Sequence, residues 1–242
     1  MVHVTRGIVL RTVKYGETSI VATLFTEKFG VQTYLVNGVR TTGKPGTKAV
    51  LYQPAALLNI DVYHNELKNM QRIREANWGL LATNIFSDVI KNSVALFMIE
   101  LLQRALKQPE ENTELFHFVS DSLEQLDSSS HAAAANFPLF FALNLPYFFG
   151  FAFNRHSRNK PFLDLQEGSF VDEQPSHNYF LEGKVALQTA ELLKVMQPEE
   201  LDQIHLNSTA RNSLLDGYIK YFQLHIQDFG EMRTLPVLRQ IL

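Results

Sequence analysis

Apolar and polar residues alternate with a period of two along the first third of the chain. In the segment LLNIDVY, Leu58, Ile60 and Val62 fall on one face, and polar or aromatic residues fall on the other. A period of two is typical of a β-strand with one buried face. The same alternation recurs in residues 5–15, 19–26, 30–37, 57–64 and 67–76, with turn residues between the segments. We therefore predict five short antiparallel strands that close into a small barrel, which leaves no exposed sheet edge.

From Trp78 onward the apolar period becomes helical. Residues 92–107 and 211–229 each place a broad apolar stripe on one side of a helix. Residues 128–136, SSSHAAAAN, are typical of a serine-capped helix start. The pattern predicts an α+β protein, with a five-stranded barrel over residues 1–78 and a helical domain over residues 79–242. A polar, turn-rich excursion without clear periodicity interrupts the helical domain at about residues 154–180.

The most apolar segment, residues 136–153, carries no charge and resembles a membrane span in composition. It is slightly short for a span, and Pro138, Pro146 and Gly150 interrupt it. We interpret it as buried core helix.

Composition and charge exclude some classes of function and favour an anionic partner. The chain has no cysteine, which excludes disulfides and thiolate nucleophiles and fits a reducing compartment. The amino-terminal residues show no secretory signal, so we expect a cytoplasmic, nucleoid-associated protein. Residues 1–78 contain ten Lys and Arg against five Asp and Glu, whereas residues 79–242 contain twelve against twenty. This split favours a basic surface for an anionic partner on the first part. Random variation in charge between two solvated surfaces is the alternative explanation.

The stretch GVRTTGKP, residues 38–45, nearly matches a phosphate-binding P-loop. That motif requires Ser or Thr after the lysine to bind Mg²⁺, and a helix that begins there. Here Pro45 follows Lys44, and the residues beyond are expected to return to a strand. The stretch therefore argues against an NTPase, and we interpret it as a cationic loop.

The basic residues of the first part are the candidate nucleic-acid contacts. Phosphate contacts from a mobile cationic loop are independent of base sequence and depend strongly on salt. Exposed aromatic rings beside such cations stack on unpaired bases. The candidate cations are Arg40, Lys44 and Lys48 in the loop and Arg6, Arg11, Lys14, Arg72 and Arg74 on the strands; the candidate rings are Tyr15, Phe29, Tyr34 and Tyr52. Taken alone, Phe29 fits the barrel core better.

The sequence offers no catalytic or metal site. His156, Asp164, Asp172 and His177 lie in the polar excursion, but their spacing matches no short zinc-ligand pair. Neither a nucleophile elbow nor a zinc-protease motif is present. We predict a protein that is not an enzyme and that needs no cofactor.

Residues 7–40 resemble the amino-terminal signature of the bacterial RecO family of recombination mediators. The similarity rests on the turn at residues 16–19, the segment 25–30 and the triplet 38–40. It continues in residues 51–54, LYQP, which are similar to a Leu-Gln-Pro of the family, and in the final helix, residues 214–238.

This resemblance implies an OB-fold barrel followed by a helical domain, with binding of single- and double-stranded DNA and annealing of complementary strands. It also implies work with RecR to load RecA onto DNA covered by the single-stranded DNA-binding protein, SSB. The acidic, phenylalanine-ending tail of SSB would bind in the helical domain. The alternative is a protein-interaction scaffold whose barrel does not bind DNA.

The chain departs from the family pattern at two places. Many relatives bind zinc through paired cysteines at the excursion, and this chain has none. The Arg-Phe-Glu-like start of the central apolar helix is replaced by Asn136, Phe137 and Pro138. For this reason we expect Arg211, at the start of the last long helix, to contact the tail.

Overall fold

The computed structural model describes residues 1–39, 47–106, 110–156, 158 and 160–242, without the side chains of residues 47 and 48. These residues form two compact units. One comprises residues 1–83 and 106–127, and the other comprises residues 84–105 and 128–242. The first unit is thus discontinuous in sequence, and a domain boundary at residue 78 remains a prediction.

The first unit contains a closed five-stranded barrel, as predicted. Its strands are β1 (Val2–Tyr15), β2 (Ser19–Thr26), β3 (Gly30–Val36), β4 (Leu57–Tyr63) and β5 (Gln71–Trp78). Inward residues such as Leu24, Leu58 and Val62 are fully buried, in agreement with the period of two.

The strands are not all antiparallel, and that expectation was wrong. Around the barrel the order is β1-β2-β3-β5-β4, and β3 pairs with β5 in parallel. An odd number of strands cannot alternate in direction around a closed ring, so one pair must run parallel. That pair is short, with Tyr34 opposite Gln71 and Leu35 opposite Arg72.

A short helix, α1 (Thr47–Leu51), precedes β4 where a return to strand was expected. The strand begins only at Leu57, because Pro54 lacks an N–H for a sheet ladder and a turn joins Gln53 to Ala56 through a 3.1 Å hydrogen bond. A P-loop requires a helix after its lysine, so the presence of α1 removes one of the two arguments against that motif. The other argument, Pro45 in place of Ser or Thr, still holds.

Helix α4 (Thr113–Ser128) lies mostly in the barrel's unit. Its Phe116 ring packs against the Phe25 ring of β2, with centroids 5.7 Å apart. Both rings are fully buried, so this helix shares the barrel's hydrophobic core.

The second unit is largely helical. Its elements include α2 (Thr83–Ser87), α3 (Val89–Ala105), α5 (His131–Asn144), α6 (Gly183–Leu192), α7 (Ser208–His225) and α8 (Thr234–Ile241). The predicted serine cap of α5 is confirmed, since Ser130 Oγ accepts a 3.1 Å hydrogen bond from the backbone N–H of Ala133.

The apolar segment forms core helix, as interpreted from the sequence. Helix α5 passes through Pro138 and continues as a 3₁₀ helix, Leu145–Phe149, which ends at Gly150. The run His131–Phe149 is long and apolar enough to cross a membrane, but 67% of its most apolar window is buried inside the protein. Such burial is typical of a core helix.

The polar excursion contains a small sheet that the sequence pattern did not predict. Strands β6 (Phe162–Asp164), β7 (Ser169–Val171) and β8 (Phe180–Glu182) form a three-stranded sheet in the order β7-β6-β8. Three-residue strands are too short to show a period.

Side chains of α7 contact residues before and after the first strand of this sheet, β6. The Tyr221 ring stacks on Phe153 at 3.9 Å, and its hydroxyl donates a 2.6 Å hydrogen bond to the Phe151 carbonyl. His225 Nε2 lies 3.0 Å from the Leu165 carbonyl oxygen. Packing and hydrogen bonds therefore stabilise the segment in which many relatives are expected to bind zinc.

Candidate nucleic-acid interface

Two of the predicted cations lie on the same outer face of the barrel. Val13 of β1 lies opposite Val21 of β2, Val21 lies opposite Leu35 of β3, and Leu35 lies opposite Arg72 of β5. Directly opposed residues share a sheet face, and Arg11 lies two residues from Val13 on that face. Arg11 and Arg72 are both exposed, about three strand spacings (~14 Å) apart across the strands and two residues (~7 Å) apart along them. We call this surface the outer barrel face.

Arg72 and Arg74 also line a cleft of about 430 Å³ at the edge of the outer barrel face. Asn37, just after β3, and Leu51, at the end of α1, lie in the same cleft. The two segments that flank the cationic loop therefore both reach the cleft that contains these arginines.

Residues 40–46 of the loop lie outside the described residues. Arg40 and Lys44 are among them, so their predicted role has no structural test. Lys48 lies in α1, but its side chain is not described. Lys14, near the end of β1, is exposed.

Arg6 is the predicted cation whose charge is already paired. Its Nε and Nη2 donate hydrogen bonds to the two carboxylate oxygens of Glu27, at 3.1 and 3.0 Å. Its guanidinium lies over the Phe116 ring, 5.1 Å from the centroid, and His117 Nε2 lies 3.1 Å from Glu27 Oε1. The hydrogen bond from Arg6 lowers the pKa of Glu27 below its ordinary value. Arg6 thus joins β1 to α4 and has less charge to offer a phosphate.

The aromatic candidates divide into exposed and buried rings. Tyr15 is 54% exposed, in the same alternation as Val13 on β1. Tyr34 and Tyr52 are buried, and burial raises the pKa of Tyr52 to about 12. Stacking on bases was therefore a wrong prediction for these two rings, which serve the core. Phe29 is half-buried and stacks on His64 at 4.0 Å.

Sequence reasoning missed one exposed ring on the barrel. Tyr63, the last residue of β4, is 50% exposed beside Arg72 and Lys68 in a second cleft. The period of two already placed Tyr63 opposite the buried residues Leu58, Ile60 and Val62, and that alternation was the signal for its exposure.

In the second unit, Arg211 lines a cleft of about 520 Å³ with Asn136 and Lys184. Its two terminal nitrogens donate to the backbone oxygens of Leu206 and Leu242, at 2.6 and 2.8 Å, and burial lowers its pKa. Asn136 Oδ1 and Arg211 Nε are both buried, and neither has a hydrogen-bond partner within the part of the chain that the structure describes. Buried polar atoms normally have a partner, so this cleft is a candidate binding site.

The polar residues of the excursion form pairs with each other. His177 Nε2 lies 3.3 Å from Asp164 Oδ2, and Lys160 Nζ lies 2.9 Å from Asp172 Oδ2. Across residues 1–39, 47–106, 110–156, 158 and 160–242, no three His, Asp or Glu side chains converge as metal ligands.

Comparisons with known proteins agree with this architecture. Residues 1–79 match the family model "Recombination protein O N terminal", and residues 87–233 match "Recombination protein O C terminal". The chain is 32% identical over 244 residues to the DNA repair protein RecO of Christiangramia forsetii, covering 100% of this chain and 99% of that protein. It is 31% identical over 242 residues to the DNA repair protein RecO of Phocaeicola vulgatus, with the same coverage. The chain therefore belongs to the RecO family of DNA repair and recombination proteins.

Proposed function

We propose that this protein is a recombination mediator that binds single- and double-stranded DNA along the outer barrel face. It anneals complementary strands and, with RecR, helps to load RecA onto single-stranded DNA covered by SSB. Its action requires binding and positioning of strands rather than a chemical step. Membership of a DNA repair family and the charge of the barrel support this proposal.

The distribution of charge on the strands carries the DNA-binding part of the proposal. Strands β1, β2 and β3 contain no Asp or Glu, whereas β1 contains Arg6, Arg11 and Lys14. Three consecutive strands therefore present no side-chain carboxylate to repel a phosphate chain. Arg11 and Arg72 provide cations on the outer face, and Tyr15 provides an exposed ring for an unpaired base.

Charge neutralisation explains how such a surface anneals strands. Two DNA strands repel each other through their phosphates, and cations that bind those phosphates release counterions and reduce the repulsion. Contacts with phosphates carry no base information, so any complementary pair of strands is a substrate.

The cleft beside Arg211 is our proposed site for the SSB tail. Its cationic and amide side chains suit a peptide that ends in carboxylates, and Arg211 Nε is a buried donor directed to no described acceptor. Asn136, which replaces the arginine expected from the family pattern, lines the same cleft. Its buried oxygen requires a donor, such as a backbone N–H of the bound tail.

Salt-dependent DNA binding tests the main proposal. We would titrate a labelled single strand with the full chain at several salt concentrations and measure fluorescence anisotropy. The double variant Arg11→Gln/Arg72→Gln should lower the slope of log K against log salt by about 1.4, because each single-strand phosphate contact contributes about 0.7. Lys28→Gln is the control, because it also removes a cation from the barrel's unit. The Lys28 ammonium already donates a 2.7 Å hydrogen bond to the Val4 carbonyl, so we expect it to contribute less to DNA binding. Salt-independent or absent binding by the unmodified chain would instead support the scaffold alternative.

Annealing of SSB-coated complementary oligonucleotides tests the mediator role. We expect the unmodified chain to accelerate annealing and Arg211→Ala to lose the acceleration only when SSB is present. Equal loss of annealing on bare and coated strands would show that Arg211 does not act by binding the SSB tail. Addition of RecR and RecA to the same coated strand would then measure loading.

A further inference from the structure

Two arginines of the second unit converge on a single carbonyl group. Arg155 Nη1 and Arg158 Nη1 lie 3.5 and 3.1 Å from the carbonyl oxygen of Leu193, the residue that follows α6. Arg155 Nη2 donates a 2.6 Å hydrogen bond to Asn144 Oδ1, at the end of α5. Acceptors at the ends of α5 and α6 thus hold the two side chains in place.

No carboxylate compensates these two charges among the described residues, and the undescribed positions contain no acidic residue. The neighbouring lysines differ, because Lys160 and Lys194 pair with Asp172 and Glu191 at 2.9 and 2.5 Å. Burial lowers the pKa of Arg155, and the nearby charge of Arg158 lowers it further. Two adjacent, partly buried cations without an acid are costly unless an anion binds them.

The guanidiniums retain donors for such an anion. Arg158 donates only through Nη1, so its Nε and Nη2 have no partner within the described chain. Adjacent nitrogens of one guanidinium match two oxygens of a phosphate or carboxylate.

An exposed aromatic residue lies three positions beyond Asn144, the residue that holds Arg155. Asn144 is followed directly by the 3₁₀ helix Leu145–Phe149, in which Tyr147 is 66% exposed. Three residues of 3₁₀ helix rise about 6 Å, so Tyr147 lies near the residue that holds Arg155. Exposed rings beside cations are the typical arrangement for unpaired nucleic-acid strands.

We propose that Arg155, Arg158 and Tyr147 form a second nucleic-acid contact, on the helical unit. The guanidiniums bind a backbone phosphate, and Tyr147 stacks on an unpaired base. This inference rests on the proposed DNA-binding function and adds a contact outside the barrel. A second contact allows one protein to hold one strand at each unit. The exposed ring favours nucleic acid over an acidic peptide, which has no base to stack.

The test uses the full chain, a labelled thymidine oligonucleotide, a labelled duplex and a labelled hexaglutamate peptide. Arg158→Gln should lower the single-strand salt slope by about 0.7, and Arg158→Lys should restore it. Tyr147→Ala should weaken single-strand binding about fivefold or more and leave duplex binding unchanged, because stacking requires an unpaired base. Lys194→Gln is the matched control, since that lysine is already paired with Glu191.

The outcomes separate this inference from the proposed function. A normal slope in Arg158→Gln together with a reduced slope in Arg11→Gln/Arg72→Gln overturns the second contact and leaves the barrel site intact. Loss of hexaglutamate binding alone in Arg158→Gln assigns the arginines to an acidic peptide and also overturns it. Absence of salt-dependent binding by the unmodified chain removes both. If Arg158→Gln unfolds, the selective effect of Tyr147→Ala on single strands decides the question.

Discussion

Glu27 binds Arg6 through both carboxylate oxygens, at 3.1 and 3.0 Å. The pair is partly exposed, and the Arg6 guanidinium also lies over the Phe116 ring of α4. A carboxylate of the barrel's own unit therefore already neutralises the charge of Arg6. The members of the predicted basic set are therefore not equivalent.

Arg6→Gln should change the DNA salt slope less than Arg11→Gln does. Glu27 already neutralises Arg6, whereas the Arg11 side chain makes one weak hydrogen bond within the described residues, to Thr23 Oγ1 at 3.4 Å. Anisotropy titrations of the two single variants compare them directly. Equal reductions of the slope would show that DNA displaces Glu27 from Arg6.

The Arg6–Glu27 pair should contribute to stability only where Glu27 is ionised. Because hydrogen bonding lowers the pKa of Glu27 below its ordinary value of 4.5, the contribution is fully present above pH 4.5 and disappears as the pH falls further. Glu27→Gln should cost about 1 kcal/mol of unfolding free energy at pH 7, since the pair is partly exposed. Urea unfolding at pH 7 and pH 3 measures this difference. The control Glu17→Gln, in an exposed turn, should cost little at pH 7, and an equal cost for both variants there would contradict the assignment.

The cationic loop should contribute to binding without regard to base sequence. Arg40→Ala/Lys44→Ala/Lys48→Ala is expected to weaken binding similarly for all oligonucleotides. The single-strand salt slope should fall by about 0.7 for each phosphate that the variant no longer binds. Titrations with oligonucleotides of different composition measure both effects. An unchanged slope would remove the loop from the interface.

Gly168→Ala should disrupt the packing of the small sheet. Gly168 has a φ of +61°, and an added Cβ would lie 2.4 Å from the Tyr221 hydroxyl oxygen. We expect a loss of about 2–3 kcal/mol, which combines backbone strain with displacement of a buried ring. Gly183→Ala is the matched control, since Gly183 has a φ of +56° and nothing within 4 Å of the added Cβ. Thermal unfolding compares the two, and equal losses would assign the effect to φ alone.

The hydrophobic pattern predicted the barrel strands and the long helices because each has many residues in one period. Residues 162–164 and 180–182 are too short to show alternation, and pairing across the excursion aligns them. The burial of Tyr34 and Tyr52 depended on which face of the strand or turn met the core. A tyrosine suits a wet rim and an apolar core equally well, so sequence alone could not assign them.

The candidate interface was predictable as a set of charges but not residue by residue. Arg6 and Glu27 are 21 positions apart, and only the register of β1 against β2 brings them together. The convergence of Arg155 and Arg158 on the Leu193 carbonyl oxygen likewise depends on where α6 ends. Spacing along a chain does not determine such contacts when the residues lie on different elements.

The parallel junction of β3 and β5 should be the first part of the barrel to open. It joins segments about forty residues apart through two residue pairs, whereas the neighbouring ladders are longer. A short ladder opens easily in the native state because few hydrogen bonds hold it. Backbone amides at this junction should exchange with solvent faster than those of β1 and β2. Arg72 lies in one of those two pairs and also opposite Tyr63 of β4, so opening of the junction would separate a residue of the proposed DNA surface from β3 while β4 still holds it.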